Sequence, residues 1–534
     1  MSSRVRALSV AYVQPDQAAN PPSRNAVDHA IKLSLFDAMF IPFAPVQPLF
    51  FYDGDGLPPF PSLSSSLRSS LAATLAIFTP LAGKLTASSS DEVFIDCSPG
   101  AVSPGVRFVE AEYAGDMRRL AVDAEHDVEA FRQLVPEFPV GKLPAPVLAV
   151  KVTRPTYDAG GGTGVVAVGV AIHHAVADGK ALWQFLRAWA AVSRSGSLAG
   201  SGLRPPTFDR AVVNRHPKAE EVARKYVSIL APALPTVSAD QTSFNVSRPV
   251  RSSMIAMSVL ISVGIAIRIT SASSQVNAFP EADIKQQRRR TYLLRADQIR
   301  SLKRRISLRS SRGAKDEPAV VEPPSTFVAV ASLVWTSIVR AKNCSNHAGV
   351  DVFLMLAADC RARLRPPLDD TFFGNCVKSC YARATVGELR GSGDDHDGAL
   401  ARAAAAVRDA VRVYLEDPLA NAERWLELRQ SLPPERIAQI GSSHRFMAYE
   451  TDFGWGAPSR VELVWAILKE LVALLGAPDG AVQVSVALDP GAPGRFRSQL
   501  LVAAAGLNMT LIVRVMYVCM VCCPMCIVIV VFRN

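Results

Sequence analysis

The chain lacks the short signatures that announce most enzyme chemistries. No GxSxG turn presents a nucleophilic serine, no HExxH pair could seat a zinc ion, and no GxGxxG follows a strand. No second His/Cys cluster at metal spacing lies in the body of the chain, so no bound metal is expected. The glycine-rich DAGGGTG connection at 158–164 lacks the lysine–hydroxyl pair of a phosphate loop. It precedes a strand rather than a helix, so it reads as a flexible hairpin connection. Ordered cysteine spacing is missing too. Cys97, Cys344, Cys360, Cys376 and Cys380 are scattered without a disulfide framework, which fits a reducing compartment. The first residues have no apolar segment followed by a small-residue cleavage site, so no signal peptide is read and a cytoplasmic location is expected. Charge is modest. The net +10 comes from 58 basic and 48 acidic residues, which suits anionic small molecules without demanding nucleic acid. The basic cluster Lys285–Arg290, with Arg295, Arg300 and Lys303–Arg305, has no interleaved aromatics for base stacking and reads as a solvated helix face.

What is present is a long, largely globular chain of 534 residues, 49% hydrophobic, enough for more than one domain. Its organising stretch is HHAVADGK, His173–Lys180. An apolar run, Val165–Ile172, reads as a strand leading into it. An amphipathic helix, Ala181–Val192, leaves it, with Leu182, Phe185, Leu186 and Trp189 on one core-facing stripe. Further strands are expected at Pro48–Tyr52, Val93–Cys97, Val106–Glu112, Val147–Thr153, Arg290–Leu294, Val352–Ala358, Phe446–Thr451, Val461–Trp465 and Val482–Leu488. Between Pro59 and Leu85 a helix is expected, serine-capped, with Leu67, Leu71, Leu75 and Phe78 on one face. Other helices are expected after Leu294 and at Ser325–Arg340, Leu400–Tyr414, Asn421–Arg429 and Gly494–Ala505. Strands and helices alternate without a strict βαβ period, which favours α/β structure with a mixed sheet in each half.

Two stretches stand apart. Met254–Ile267 is a continuous apolar run of 14 residues, short for a bilayer span, inside an atypical segment at 249–284. Residues 511–532 are apolar and cysteine-dense, with an uncharged part from Val515 to Phe532. A membrane anchor there is a disfavoured alternative, since Pro524 interrupts it and its valines favour strands.

Imidazole accepts a proton near neutral pH without first being deprotonated itself. His174 is placed where a strand ends, and Gly179 would let the backbone turn just after. Asp178 could lie near the ring or brace the turn through a distant arginine. The spacing alone leaves a structural and a catalytic histidine both open. A base with no evident nucleophile suggests direct activation of an acceptor hydroxyl or amine.

HHAVADGK and TDFGWGAPSRVEL together resemble the two hallmark motifs of the BAHD acyltransferases, the plant CoA-dependent acyl transfer family. LSLFDAMFIPFAPVQPLFFYDG, LRSSLAATLAIFTPLAGKL and PPSTFVAVASLVWTSIVRAK are similar to other family segments. The FFGNC segment resembles the YFGNC of the branch acylating anthocyanins, flavonoid glycosides and phenolic glucosides. The likeness covers roughly residues 5–248 and 288–507. It implies a fold like that of chloramphenicol acetyltransferase, with two similar-sized mixed-sheet domains and the active site between them. An N-terminal domain at 1–200 and a crossover at 201–248 would be followed by the insertion at 249–284, a C-terminal domain at 285–507 and the tail at 508–534. It implies acyl-CoA as co-substrate with no bound cofactor, a monomer, and transfer of a malonyl or hydroxycinnamoyl group to a phenolic or flavonoid glycoside. His174 would be the base, and Asp178 would pair with Arg361 or alternatively Arg363. Asp452, Phe453, Gly454, Trp455 and Gly456 would support structure and the CoA side. The family has no counterpart to the insertion or tail. The alternative is therefore a non-catalytic or membrane-associated variant disrupted by them.

Overall fold

The computed structural model describes residues 3–16, 29–41, 43–88, 92–139, 143–156, 164–230, 288–311, 322–342, 347–391, 395–464, 471–488, 496–497 and 500. The segments 249–284 and 508–534, most of the 158–164 connection and nearly all of the helix expected at Gly494–Ala505 lie outside them.

Two six-stranded mixed sheets with flanking helices form the frame, the two-domain α/β plan expected for the chain. In the first, β1 (Val5–Val13), β6 (Val106–Tyr113), β8 (Leu148–Pro155), β9 (Val165–Ile172), β3 (Pro48–Asp53) and β14 (Arg460–Leu463) lie side by side in that order. Only β6 and β8 run parallel. In the second the order is β10 (Arg288–Leu294), β16 (Val482–Leu488), β15 (Leu471–Gly476), β13 (Ile437–Ile440), β11 (Asp351–Asp359) and β12 (Val377–Thr385). There β13 is parallel to both β15 and β11. A small antiparallel sheet joins β2 (Ala30–Lys32), β5 (Val93–Asp96), β4 (Lys84–Ala87) and β7 (Ala145–Pro146).

All eight residues of β9 are buried, which is why the run is apolar throughout rather than alternating. Helix Phe60–Ile77 buries Leu67, Leu71 and Leu75 completely, as their spacing predicts. Its serines do not cap it; Pro59 precedes the first turn, and no side chain bonds there. Helix Gly179–Ser195, here the central helix, buries Leu182, Phe185, Leu186 and Trp189. Helices Thr326–Lys342 and His396–Glu416 cover the second sheet's side of the core.

Several local expectations change. Phe446–Thr451 is not a strand but two short 3-10 turns, His444–Phe446 and Ala448–Glu450. Met447 between them adopts φ 45°, which no extended strand tolerates. A four-residue helix, Leu35–Ala38, precedes the strand near Pro48, because Ser34 and Asp37 cap it reciprocally. A helix that the sequence pattern did not show spans Ala219–Leu230. The helix expected at Asn421–Arg429 starts later, at Trp425, after a 3-10 turn.

The halves also interleave. Strand β14 comes late in sequence yet pairs with β3 at the edge of the first sheet, Val461 opposite Phe50. In return, the loop before helix Val128–Leu134 bonds to β10 through His126 N–H to the Arg289 carbonyl at 2.9 Å.

Candidate active site

The end of β9 delivers His173–Ala177 as a turn, and Asp178 then caps the central helix. Its Oδ1 accepts from Ala181 N–H at 3.0 Å. Both oxygens also accept from Arg361, Oδ2 from Nη1 at 2.9 Å and Oδ1 from Nη2 at 3.1 Å. Cys376 N–H adds a bond to Oδ2 at 3.0 Å. Both side chains are about 1% exposed, so this is a buried, bidentate pair between the two halves. Arg361 further donates to Asp359 and to the carbonyls of Phe372 and Gly374. Burial opposes its charge, but Asp178 and Asp359 outweigh that and hold its pKa above the ordinary value. Arg361, and not Arg363, makes the pair; Arg363 is exposed.

Neighbouring histidines have different surroundings. His173 is fully enclosed, its Nδ1 accepts from Ala175 N–H at 3.2 Å, and burial pushes its pKa down to about 3. His174 is partly exposed. Its ring stacks on Phe40 at 4.0 Å between centroids and 6° between planes, with Phe43 edge-on at 6.1 Å. Enclosure pushes its pKa down to about 4, against the raising pull of Asp178. The imidazole is therefore neutral at pH 7 and able to accept a proton.

Gly179 does not serve a turn of its own; it is the first residue of the central helix. A Cβ there would lie 2.5 Å from the Phe446 ring, so its missing side chain admits an aromatic from the second half.

The DFGWG segment sits elsewhere. Asp452 Oδ1 accepts from the N–H groups of Gly454, Trp455 and Gly456 at 2.7–3.0 Å. Gly454 and Gly456 have φ of 108° and 95°, open to glycine at little cost. The loop docks on the far end of the central helix. Ser193 Oγ donates to the Phe453 carbonyl at 2.9 Å, Arg194 Nη1 donates to the Asp452 carbonyl, and Phe453 packs edge-on against Trp189 at 4.8 Å. Tyr52 Oη donates to Thr451 O at 2.7 Å, and its ring meets Trp455 at 5.3 Å. The helix spans 17 residues, about 25 Å, so the two hallmark motifs hold its opposite ends. The structure brings His174, Asp178, Gly179 and Arg361 together and keeps 452–456 away from them.

The sequence pattern of the transferase family matches residues 19–499. The chain belongs to the BAHD acyltransferases. Malonyl-CoA:anthocyanidin 5-O-glucoside-6''-O-malonyltransferase of Arabidopsis thaliana is 30% identical over 510 residues, covering 93% of this chain and 98% of the relative. Phenolic glucoside malonyltransferase 1 of Bemisia tabaci is 28% identical over 473 residues, 87% of this chain and 89% of the relative. Among solved structures, vinorine synthase superposes with a TM-score of 0.61 at 19% identity, covering 94% of this chain and 98% of that one. An F. graminearum protein crystallised with coenzyme A and deoxynivalenol gives 0.55 at 14%, covering 88% and 97%. At those identities the two structures establish the fold.

Among the described residues of this BAHD acyltransferase, no group of His, Cys, Asp and Glu could hold a metal, and no helix is long and apolar enough to cross a membrane. Sequence reasoning missed the residues behind His174: Phe40, Asp37, Arg210 and Asn375. One signal was available, since Asp37 is the lone charge in the apolar run LSLFDAMFI.

Proposed function

We propose that the chain transfers an acyl group, malonyl or hydroxycinnamoyl in type, from an acyl-CoA to a hydroxyl of a phenolic or flavonoid glycoside. The observation that carries this is the partly exposed His174 at the end of β9, beside two aromatic rings, with no nucleophilic side chain on the same turn. His174 takes the acceptor hydroxyl proton as its oxygen attacks the thioester carbonyl. The C–O bond forms, the C–S bond breaks, and the coenzyme thiolate leaves and takes up a proton, which the imidazolium can return. No acyl-enzyme intervenes. Asp178 and Arg361 hold the turn that presents the base. The glucoside malonyltransferases among its relatives support this donor and acceptor class.

The test is coenzyme A release with malonyl-CoA or a hydroxycinnamoyl-CoA against a panel of phenolic and flavonoid glucosides. His174→Ala is expected to lose at least about 100-fold in kcat. In the wild type the acid limb of kcat/KM is expected near pH 4, well below the usual imidazole range. Undiminished turnover by His174→Ala would remove the base assignment. A limb near 6.5 would refute the lowered affinity of the ring for its proton.

A further inference from the structure

A second buried carboxylate stands beside the Asp178–Arg361 pair and is built on the same plan. Asp37 is wholly buried. Its Oδ2 accepts from Ser34 N and Oγ at 3.0 and 2.8 Å and from Arg210 Nε at 3.1 Å. Its Oδ1 accepts from Asn375 N at 2.8 Å and Asn375 Nδ2 at 3.0 Å. The consecutive N–H groups of Asn375 and Cys376 thus go to the two different carboxylates, Asp37 and Asp178. The guanidiniums of Arg210 and Arg361 both lie against the Phe372 ring, at 5.6 and 5.4 Å.

Asn375 also reaches the candidate base. Its Nδ2 donates to the His174 carbonyl at 2.9 Å. Both amide protons are committed, one to a carboxylate and one to that carbonyl. Turning the amide over would set its oxygen against two acceptors, so Asp37 fixes which way Asn375 points. The Asn375 Oδ1 left over is buried with no hydrogen-bond partner. The Asn375 side chain also raises the affinity of His174 for its proton, so the amide acts on the ring as well as on its peptide. The other side of the base leads to the same carboxylate. Phe40, which stacks on the imidazole, follows the short helix that Ser34 and Asp37 cap.

We propose that the Asp37–Asn375 pair is a second positioning device for His174, separate from Asp178–Arg361. Asn375 sets the peptide from which the imidazole projects, and Asp37 orients Asn375 while anchoring the short helix that Phe40 follows. Asp178 and Arg361 hold the end of the turn; Asn375 holds its beginning. This rests on His174 being the base.

Steady-state kinetics on the full chain separate the two ideas. Asn375→Ala keeps the backbone bond to Asp37 but loses the donor to His174. It is expected to lower kcat about 10–100-fold, as misplacement of a catalytic group by a fraction of an ångström does. KM for the acyl-CoA should stay within about twofold, and the acid limb of kcat/KM should move down, because the Asn375 side chain is one of the groups that raise the affinity of His174 for its proton. Asp37→Asn keeps an oxygen that can receive Asn375 while depriving Arg210 of its charge partner. Its new amide nitrogen faces the Ser34 and Arg210 donors, so it should lower the melting temperature and lower kcat by less than Asn375→Ala does. Wild-type kcat in Asn375→Ala would overturn the proposal. So would loss of kcat in Asp37→Asn as large as in Asn375→Ala, since orientation of the amide would then not be what matters. If His174→Ala remains active, the base assignment itself fails; if it is inactive and Asn375→Ala is normal, only the positioning device fails.

Discussion

Replacing Arg361 with methionine removes five hydrogen bonds at once. Two run to Asp178, one to Asp359, and two to the carbonyls of Phe372 and Gly374. Asp178 would keep only the N–H groups of Ala181 and Cys376. Its carboxylate would then be an uncompensated charge in a fully buried place. Breaking a buried pair by removing one member costs about 3–5 kcal/mol, most of it the desolvation of the partner left behind. Methionine fills much of the same volume, so little of the loss should come from a cavity. Removing Asp178 instead, as alanine, leaves the buried guanidinium with Asp359 as its one carboxylate partner and also takes the cap from the central helix, worth about 1 kcal/mol more. With both replaced, no charge is stranded. Asp178→Ala/Arg361→Met should therefore be more stable than the sum of the single losses predicts, by about 2–3 kcal/mol. Urea denaturation of the wild type, both single variants and the double variant measures this directly. Additivity within about 0.5 kcal/mol would refute the reasoning, because it would mean that the two groups act independently despite their contact.

Two further outcomes follow from other parts of the structure. His173 in the folded chain has its pKa pushed down to about 3, against 6.5 when unfolded, so below pH 6.5 the unfolded chain gains a proton that the native one refuses. Stability should fall as pH drops, by about 2 kcal/mol at pH 5 from this residue alone. Urea titrations at pH 7 and 5 test this; His173→Gln should lose less on acidification, and an unchanged slope would contradict it. Asp452→Ala strips the acceptor from three N–H groups and should cost about 1–3 kcal/mol. Because that loop lies a helix length from His174, kcat per folded molecule should hold. A specific loss of kcat at unchanged melting temperature would give the loop a direct part in the chemistry.

Much of the frame was legible because burial writes itself into residue pattern. The unbroken apolar run of β9 and the leucines of helix Phe60–Ile77 needed only periodicity, and both lie where it puts them. Capping was harder. The serines near 62–66 look like helix starters, yet Pro59 and Pro61 set the first turn without them, since proline already supplies the backbone angle. The 446–451 stretch reads as a strand, but the left-handed Met447 between two turns is dictated by neighbours rather than by propensity. At the site, the HxxxD spacing marked the turn, and it could not separate a ligand of the proton from a brace. The family resemblance pointed Asp178 to Arg361 or Arg363, and the fold decides for Arg361, 183 positions away. Asn375 stands in the FFGNC segment whose likeness to the family motif was visible, but its use was not, since its partners lie 201 and 338 positions off. Gly179 shows the same limit, because the need for its missing side chain comes from Phe446.

The crossing of β14 into the first sheet bears on how such a chain can be rearranged. A protein whose later half contributes the edge of its earlier half cannot be traded as two free modules. Expressed alone, the first half would end its sheet at β3, with Leu49 and Phe51 stripped of a neighbour and a row of backbone groups unpaired. Chimeras joined at the crossover would inherit a foreign β14 facing a native β3, and mismatch there would reach the core directly. Exchange of whole halves in this architecture therefore cuts through a shared sheet, not between two separable units.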